Sequence, residues 1–114
     1  MNDALYDDGM QVRREVLGWV GAMLRGTPPQ GYAACCGAIE RLDLRRDLAA
    51  ITAPTLAVGA AADPAIPPEH SRAIAAAVRG ARLEILPHGA HLAAVECADE
   101  VADLIERHLE EGER

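Results

Sequence analysis

The stretch 54–59, PTLAVG, and the stretch 82–87, RLEILP, decide the fold of this sequence. The first is a short apolar run bounded by Pro54 and Gly59, which is typical of a strand buried on both faces. The second has leucine and β-branched content and is broken by Pro87, which also favours a strand. Between them, Pro67 and Pro68 suit the first turn of a helix, and Gly80 stands where that helix ends. Strand, helix and strand predict one parallel βαβ unit.

One acid and one histidine follow the carboxyl ends of these two predicted strands, Asp63 after the first and His91 after the second. Parallel strands place the loops after their carboxyl ends on one edge of the sheet, so this geometry predicts that the two side chains come within hydrogen-bonding reach. An aspartate in that position fixes the tautomer of the imidazole and stabilises the imidazolium. Two alternatives stay open: Asp63 as a turn residue ahead of Pro64, and His91 as a loop histidine bound to backbone.

Composition narrows the class of protein. The 114 residues fit one domain and carry a formal net charge of −7 without a basic cluster, so nucleic acid and anionic membranes are not expected partners. No apolar run approaches the ~18 residues of a membrane span, and the first 20 residues lack the pattern of a secretory signal. A cytoplasmic protein is the expectation. Cys35, Cys36 and Cys97 are expected to be reduced core residues.

The first 52 residues predict helices. Apolar residues recur at helical spacing from Met10 and end at Gly26, with these positions on the stripe: Val12, Val16, Trp19, Val20 and Met23. Thr27 then predicts the N-cap of a second helix, which reaches about Leu42. Asp43 predicts the cap of a short helical turn over 44–50.

Two further helical segments follow His91, a turn over 92–95 and a last helix that Asp99 caps and Gly112 ends. The whole chain therefore predicts an α/β protein with about five helical segments and two parallel strands. Two strands make an incomplete sheet whose edges expose unpaired backbone groups. We expect another chain, a second copy or additional sequence to cover these edges.

Four stretches carry a resemblance to a known family: GYAACC at 31–36, APTL at 53–56, DPAIPPEH at 63–70 and GAHLAAVE at 89–96. They resemble the carboxyl-terminal part of α/β-hydrolases, and most of all the 3-oxoadipate enol-lactonases of the β-ketoadipate pathway of aromatic catabolism. The resemblance implies that residues 1–52 correspond to the end of the lid and its return to the core. Residues 53–114 would be the last βαβα part of the core.

The resemblance also implies a catalytic site, with Asp63 as the acid and His91 as the base of a Ser-His-Asp triad. The sequence departs from the family at Ala60, where a glycine is usual, and at Ala62, where a second acid is frequent. The larger departure is that no G-x-S-x-G nucleophile motif is present. The only serine, Ser71, lies in the helix that begins near Pro67 and is not expected to be the nucleophile.

These implications give two hypotheses. In the first, the chain is the carboxyl-terminal portion of a hydrolase of carboxylic esters or lactones, inactive by itself because the nucleophile and the oxyanion hole lie in an N-terminal segment absent here, and it needs no cofactor or metal. In the second, it is a non-catalytic remnant that self-associates through its open sheet edges as a packing module.

Four other residues have secondary interpretations. His88 and His91 lie three apart, but no carboxylate or cysteine stands at ligand spacing, so metal binding is not expected. Arg45 and its neighbour Arg46 predict solvated charge rather than a clamp for an anionic substrate. Glu96 is expected to bind backbone near the histidine rather than transfer protons.

Overall fold

The computed structural model describes the backbone of residues 3–112 and the side chains of residues 14–112. The chain divides into two compact units, Met1–Leu42 and Asp43–Arg114. No helix in the described part combines the length and the apolarity that crossing a membrane requires. The predicted division of the chain at residue 52, into a lid end and a core part, rests on the resemblance and stays a prediction.

The first unit contains two helices, α1 at Asp3–Gly26 and α2 at Pro29–Arg41. Helix α1 begins seven residues before the predicted start at Met10. Thr27 is not the N-cap of α2, which was the prediction: Pro28 occupies that position, and the Thr27 hydroxyl donates instead to the Met23 carbonyl at 3.0 Å. A threonine hydroxyl between two helices can form a hydrogen bond with the backbone of either helix, and here it bonds to the backbone of the helix before it.

The second unit contains the predicted βαβ unit. Its elements are a 3-10 turn at Leu48–Ala50, strand β1 at Leu56–Ala60, helix α3 at Pro68–Ala77, strand β2 at Arg82–Leu86, helix α4 at Ala93–Glu96 and helix α5 at Ala98–Gly112. The strands pair in parallel, with Leu56 opposite Arg82 and Ala60 opposite Leu86. The described residues thus contain two parallel strands and five α-helices.

Helices cover both faces of this sheet. On one face α3 packs against β1 and β2. On the other face, Leu104 of α5 joins Leu86 and Cys97 in the buried core, with Leu56 and Val58 packed against them. Coverage of both faces explains why β1 reads as a continuous apolar run, whereas β2 carries Arg82 and Glu84, which are only partly buried.

Helix α3 lies very close to β1 at Gly59. A Cβ atom on Gly59 would lie 2.9 Å from the Ser71 hydroxyl and 3.0 Å from Cδ1 of Ile85. The Ser71 hydroxyl donates to the carbonyl of Val58 at 3.3 Å. The glycine therefore permits the close packing, and the serine ties the helix to the strand.

Each strand has one strand neighbour within the described residues. The outer side of β1 and the outer side of β2 consequently present backbone N–H and C=O groups that no strand pairs there. The sheet is incomplete, as predicted from the number of strands.

Candidate active site

Asp63 lies in the loop after β1 and is held by its own turn. Its Oδ1 atom accepts hydrogen bonds from the backbone N–H of Ala65 at 2.8 Å and of Ile66 at 2.9 Å. The side chain is 10 % exposed. This is the turn that an aspartate ahead of Pro64 predicts, and it fixes the direction of the carboxylate.

His91 lies in the loop after β2 and meets the same carboxylate. Its Nδ1 atom lies 3.1 Å from Oδ2 of Asp63, the carboxylate oxygen that accepts neither hydrogen bond of the turn. The parallel strands therefore bring the two side chains together, although 28 positions separate them in sequence. The imidazole is 58 % exposed, in contrast to the carboxylate.

Several neighbours hold the pKa of Asp63 below its usual value. The largest cause is the hydrogen bond from the Ile66 N–H, and burial of the carboxylate opposes it. The hydrogen bonds to His91 and Ala65 and the charge of His91 lower the pKa further. Asp63 is thus favoured as an anion, the state in which it accepts a hydrogen bond from Nδ1–H of the imidazole.

Three residues shape the loop that carries His91. Gly89 has a positive φ of 81°, and a Cβ on it would lie 2.8 Å from the Cys97 sulfur. Burial, with the nearby charges of Glu100 and Glu96, raises the pKa of the Cys97 thiol, so the thiol is a neutral packing group. Glu96 accepts hydrogen bonds from the backbone N–H of Ala90 and of Leu92, both at 3.0 Å. Binding to backbone is the role that the sequence predicted for Glu96.

The remaining candidates lie apart from this pair. Ser71 uses its hydroxyl on the Val58 carbonyl. Arg45 binds Asp43 through Nε at 2.8 Å and lowers the pKa of that carboxylate to about 2, so its charge is already paired. Among the described residues, His, Cys, Asp and Glu side chains form no cluster of three that could hold a metal ion.

Sequence reasoning missed the two amides of Ala65 and Ile66 that orient Asp63. Their signal was present, because an Asp-Pro step favours a turn of this kind, but it appeared as an alternative to the catalytic interpretation. One oxygen serves the turn and the other serves the histidine, so the two interpretations describe the same side chain.

The arrangement can hold a proton acceptor in one tautomer. With Nδ1–H directed at the carboxylate, Nε2 is the basic nitrogen of the neutral ring. An acid after one parallel strand and a histidine after the next, in that chain order, is the arrangement of an α/β-hydrolase. The second unit therefore has part of an α/β-hydrolase fold.

Comparisons with known proteins agree with this class. A stretch of 41 residues is 49 % identical to 3-oxoadipate enol-lactonase 1 of Acinetobacter baylyi. The crystal structure of the enol-lactonase from Burkholderia xenovorans superposes with a TM-score of 0.82 over 90 % of this chain, at 31 % identity. A thermophilic esterase from Thermogutta terrifontis superposes with a TM-score of 0.79 over 91 % of the chain, at 28 % identity. No protein-family profile matches the sequence.

These similarities cover only a part of each relative. The match takes in 15 % of the Acinetobacter protein, and the chain covers 39 % of each of the two solved structures. The chain therefore spans well under half the length of the proteins that it matches. It is similar to the carboxyl-terminal part of an enol-lactonase-like α/β-hydrolase.

Proposed function

We propose that this chain supplies the acid and the histidine of a Ser-His-Asp triad for the hydrolysis of a carboxylic ester or lactone. The observation that carries the proposal is the contact of 3.1 Å between Asp63 Oδ2 and His91 Nδ1 at the carboxyl ends of two parallel strands. The serine and the oxyanion hole would come from a segment outside these 114 residues, since the sequence contains no G-x-S-x-G motif.

In the proposed reaction His91 acts at Nε2. That nitrogen takes the proton from the serine hydroxyl as the serine attacks the acyl carbon, and gives it to the leaving oxygen when the acyl–oxygen bond breaks. It then takes a proton from the water that attacks the acyl carbon of the acyl-enzyme, and returns that proton to the serine oxygen when the acyl–serine bond breaks. Asp63 keeps Nδ1–H in place and stabilises the imidazolium in each step. Acyl transfer of this kind requires no cofactor.

The finer proposal is that the acyl substrate is an enol-lactone, as in the β-ketoadipate pathway. Two of the relatives are named as enol-lactonases, and a third is named as an esterase. A lactone is an internal ester, so the same acid and base serve both substrate classes. The rate of hydrolysis of an enol-lactone relative to that of a simple ester distinguishes the two substrate classes.

A chimera tests the proposal. This chain is fused to the part of the Burkholderia enol-lactonase that the superposed chain does not cover. Hydrolysis of an enol-lactone and of p-nitrophenyl acetate is then measured. We expect activity that falls by 10³-fold or more in His91→Ala, because the proton acceptor is lost. His88→Ala, an exposed histidine of the same loop region, is the matched control and should retain activity. A folded chimera whose activity is unaffected by His91→Ala would refute the proposal.

The second candidate function is that of a self-associating module. Two observations support it: the unpaired outer edges of β1 and β2, and apolar side chains in the first unit that are more than half exposed, namely Trp19, Met23 and Tyr32. Its test is the solution molar mass of the purified chain together with intact mass from the source cell. A stable dimer of 114-residue chains favours the module, whereas a longer native polypeptide favours the hydrolase.

A further inference from the structure

The carboxylate of Glu96 binds the backbone on both sides of His91. Its Oε2 atom accepts the N–H of Ala90, and its Oε1 atom accepts the N–H of Leu92. Both distances are 3.0 Å, which is ordinary for such bonds. Each oxygen of the carboxylate therefore holds one neighbour of the histidine.

Half of this arrangement is a helix cap. Glu96 is the last residue of α4, and Leu92 is the N-cap of the same helix. A glutamate in the first turn that reaches back to the N–H of the N-cap resembles a capping box. The second bond, to Ala90, lies two residues farther upstream and has no part in capping the helix. It closes the loop around His91.

His91 needs this support because little else fixes it. Its side chain is 58 % exposed, so packing does not determine the rotamer of the ring. The contact with Asp63 is a single hydrogen bond, and an exposed side chain loses rotamer freedom when it forms one. A backbone held at both neighbouring residues lowers that cost, since the Cα–Cβ bond of His91 already points in a fixed direction.

We propose that Glu96 is a positioning residue, which holds the backbone at Ala90 and Leu92 so that Nδ1 of His91 stays directed at Asp63. This rests on the proposed function in so far as the aligned imidazole is the proton acceptor. Glu96 is not itself an acid or base of the reaction, because both of its oxygens are engaged by backbone N–H groups. The effect on the histidine passes through the loop.

The experiment is nuclear magnetic resonance on the isotope-labelled 114-residue chain, and it involves no substrate. Wild type, Glu96→Ala and Glu96→Gln are compared with Glu100→Ala, the matched control. Glu100 is also close enough to Cys97 to raise the pKa of its thiol, but the bonds to the Ala90 and Leu92 amides belong to Glu96. The readouts are hydrogen exchange of the two amides and the ¹⁵N shifts of the His91 ring at alkaline pH.

In Glu96→Ala we expect both amides to exchange about 10-fold faster or more, because each loses a charge-assisted bond. We expect the neutral ring to shift from the Nδ1–H tautomer towards the Nε2–H tautomer. Glu96→Gln keeps one acceptor oxygen and should retain part of the Nδ1–H population. Glu100→Ala should leave the ring shifts at their wild-type positions.

Asp63→Asn tests whether Glu96 affects the ring through the contact between Asp63 and His91. If Glu96 acts through the Asp63 contact, Glu96→Ala should change the ring tautomer much less in the Asp63→Asn background, because the contact is already altered.

Three results would overturn the inference. In the first, both amides exchange faster in Glu96→Ala while the His91 tautomer stays unchanged, so Glu96 only supports the loop. In the second, Glu100→Ala moves the ring shifts as much as Glu96→Ala does, so the effect is one of charge. Should Glu96→Ala unfold the chain, Glu96→Gln decides: a folded protein with wild-type exchange at both amides and a wild-type ring also refutes the role. None of these outcomes depends on the chimera, whose failure would concern the proposed hydrolysis alone.

Discussion

Asp63 divides its two oxygens between local and distant partners. Oδ1 binds the amides of Ala65 and Ile66 within its own turn, and Oδ2 binds His91 from the next loop of the sheet edge. The local bonds orient the carboxylate so that Oδ2 faces His91. The pKa of this side chain therefore reports on both the turn and the contact.

Asp63→Asn should weaken the dependence of the free energy of unfolding on pH under acidic conditions. Because the pKa of Asp63 is lowered in the folded state, the folded chain binds fewer protons than the unfolded one near the ordinary value of about 4. The resulting stabilisation is present above that value and is lost as the pH falls through the folded pKa. Urea unfolding between about pH 5 and pH 2 should show a smaller loss of free energy in the variant than in wild type.

Asp103→Asn, at an exposed position of α5, is the control for this experiment. It removes one carboxylate that does not take part in the Asp63 turn or in the His91 contact. Equal weakening of the pH dependence by both substitutions would mean that the acid sensitivity reflects total charge rather than the bonds of Asp63.

Gly89→Ala should destabilise the histidine loop. Its φ of 81° costs an alanine about 1–2 kcal/mol, and the added Cβ would lie 2.8 Å from the sulfur of Cys97. Gly80→Ala is the matched control, since Gly80 has a φ of 75° with no atom within 4 Å of the added Cβ. Free energies of unfolding from urea titrations should show a loss at Gly89 that exceeds the loss at Gly80 by about 1 kcal/mol or more. Equal losses would show that Cys97 moves aside freely.

At the scale of elements, α5 provides the core on one face of the sheet. Leu104 is 6 % exposed and packs in the cluster with Leu86 and Cys97. Leu104→Ala should lower the free energy of unfolding by about 2–5 kcal/mol, because it removes buried apolar surface and leaves a cavity. Leu109→Ala on the same helix, at a position that is 62 % exposed, should change it by less than about 0.5 kcal/mol. Chemical denaturation of both variants gives the comparison, and similar losses would contradict the assigned core.

The elements that the sequence predicted well are those with strong punctuation. Strand β2 runs over Arg82–Leu86 as expected, because Gly80 and Pro87 bound it on both sides. Helix caps were predicted less well. Asp99 lies inside the first turn of α5 instead of capping it. Helix α4 ends at Glu96 and α5 begins at Ala98, so that only the buried Cys97 stands between the two helices. A residue of a type that favours helix caps does not specify at which residue the helix begins.

The contacts of the candidate site likewise differ in how well the sequence predicted them. The meeting of Asp63 and His91 followed from topology, because parallel strands put both loops on one edge. The two bonds of Glu96 depend on loop backbone to within a fraction of an ångström, and hydrophobic periodicity carries no information at that scale. Sequence indicated a backbone role for Glu96 without indicating that His91 lies between the two amides.

At the scale of the whole molecule, the described part of the second unit contains an acid and a base in contact, while the only serine of the chain lies on α3 with its hydroxyl on the Val58 carbonyl. A histidine that acts on water alone gives at most about 10² to 10⁴-fold acceleration, and only for a positioned substrate. The 114-residue chain should therefore hydrolyse p-nitrophenyl acetate no faster than an equal concentration of free imidazole, without an initial burst. Stopped-flow absorbance with wild type, His91→Ala and Ser71→Ala checks this. A burst of p-nitrophenol equal to the chain concentration would show a nucleophile within these residues, and its loss in Ser71→Ala would place that nucleophile on α3.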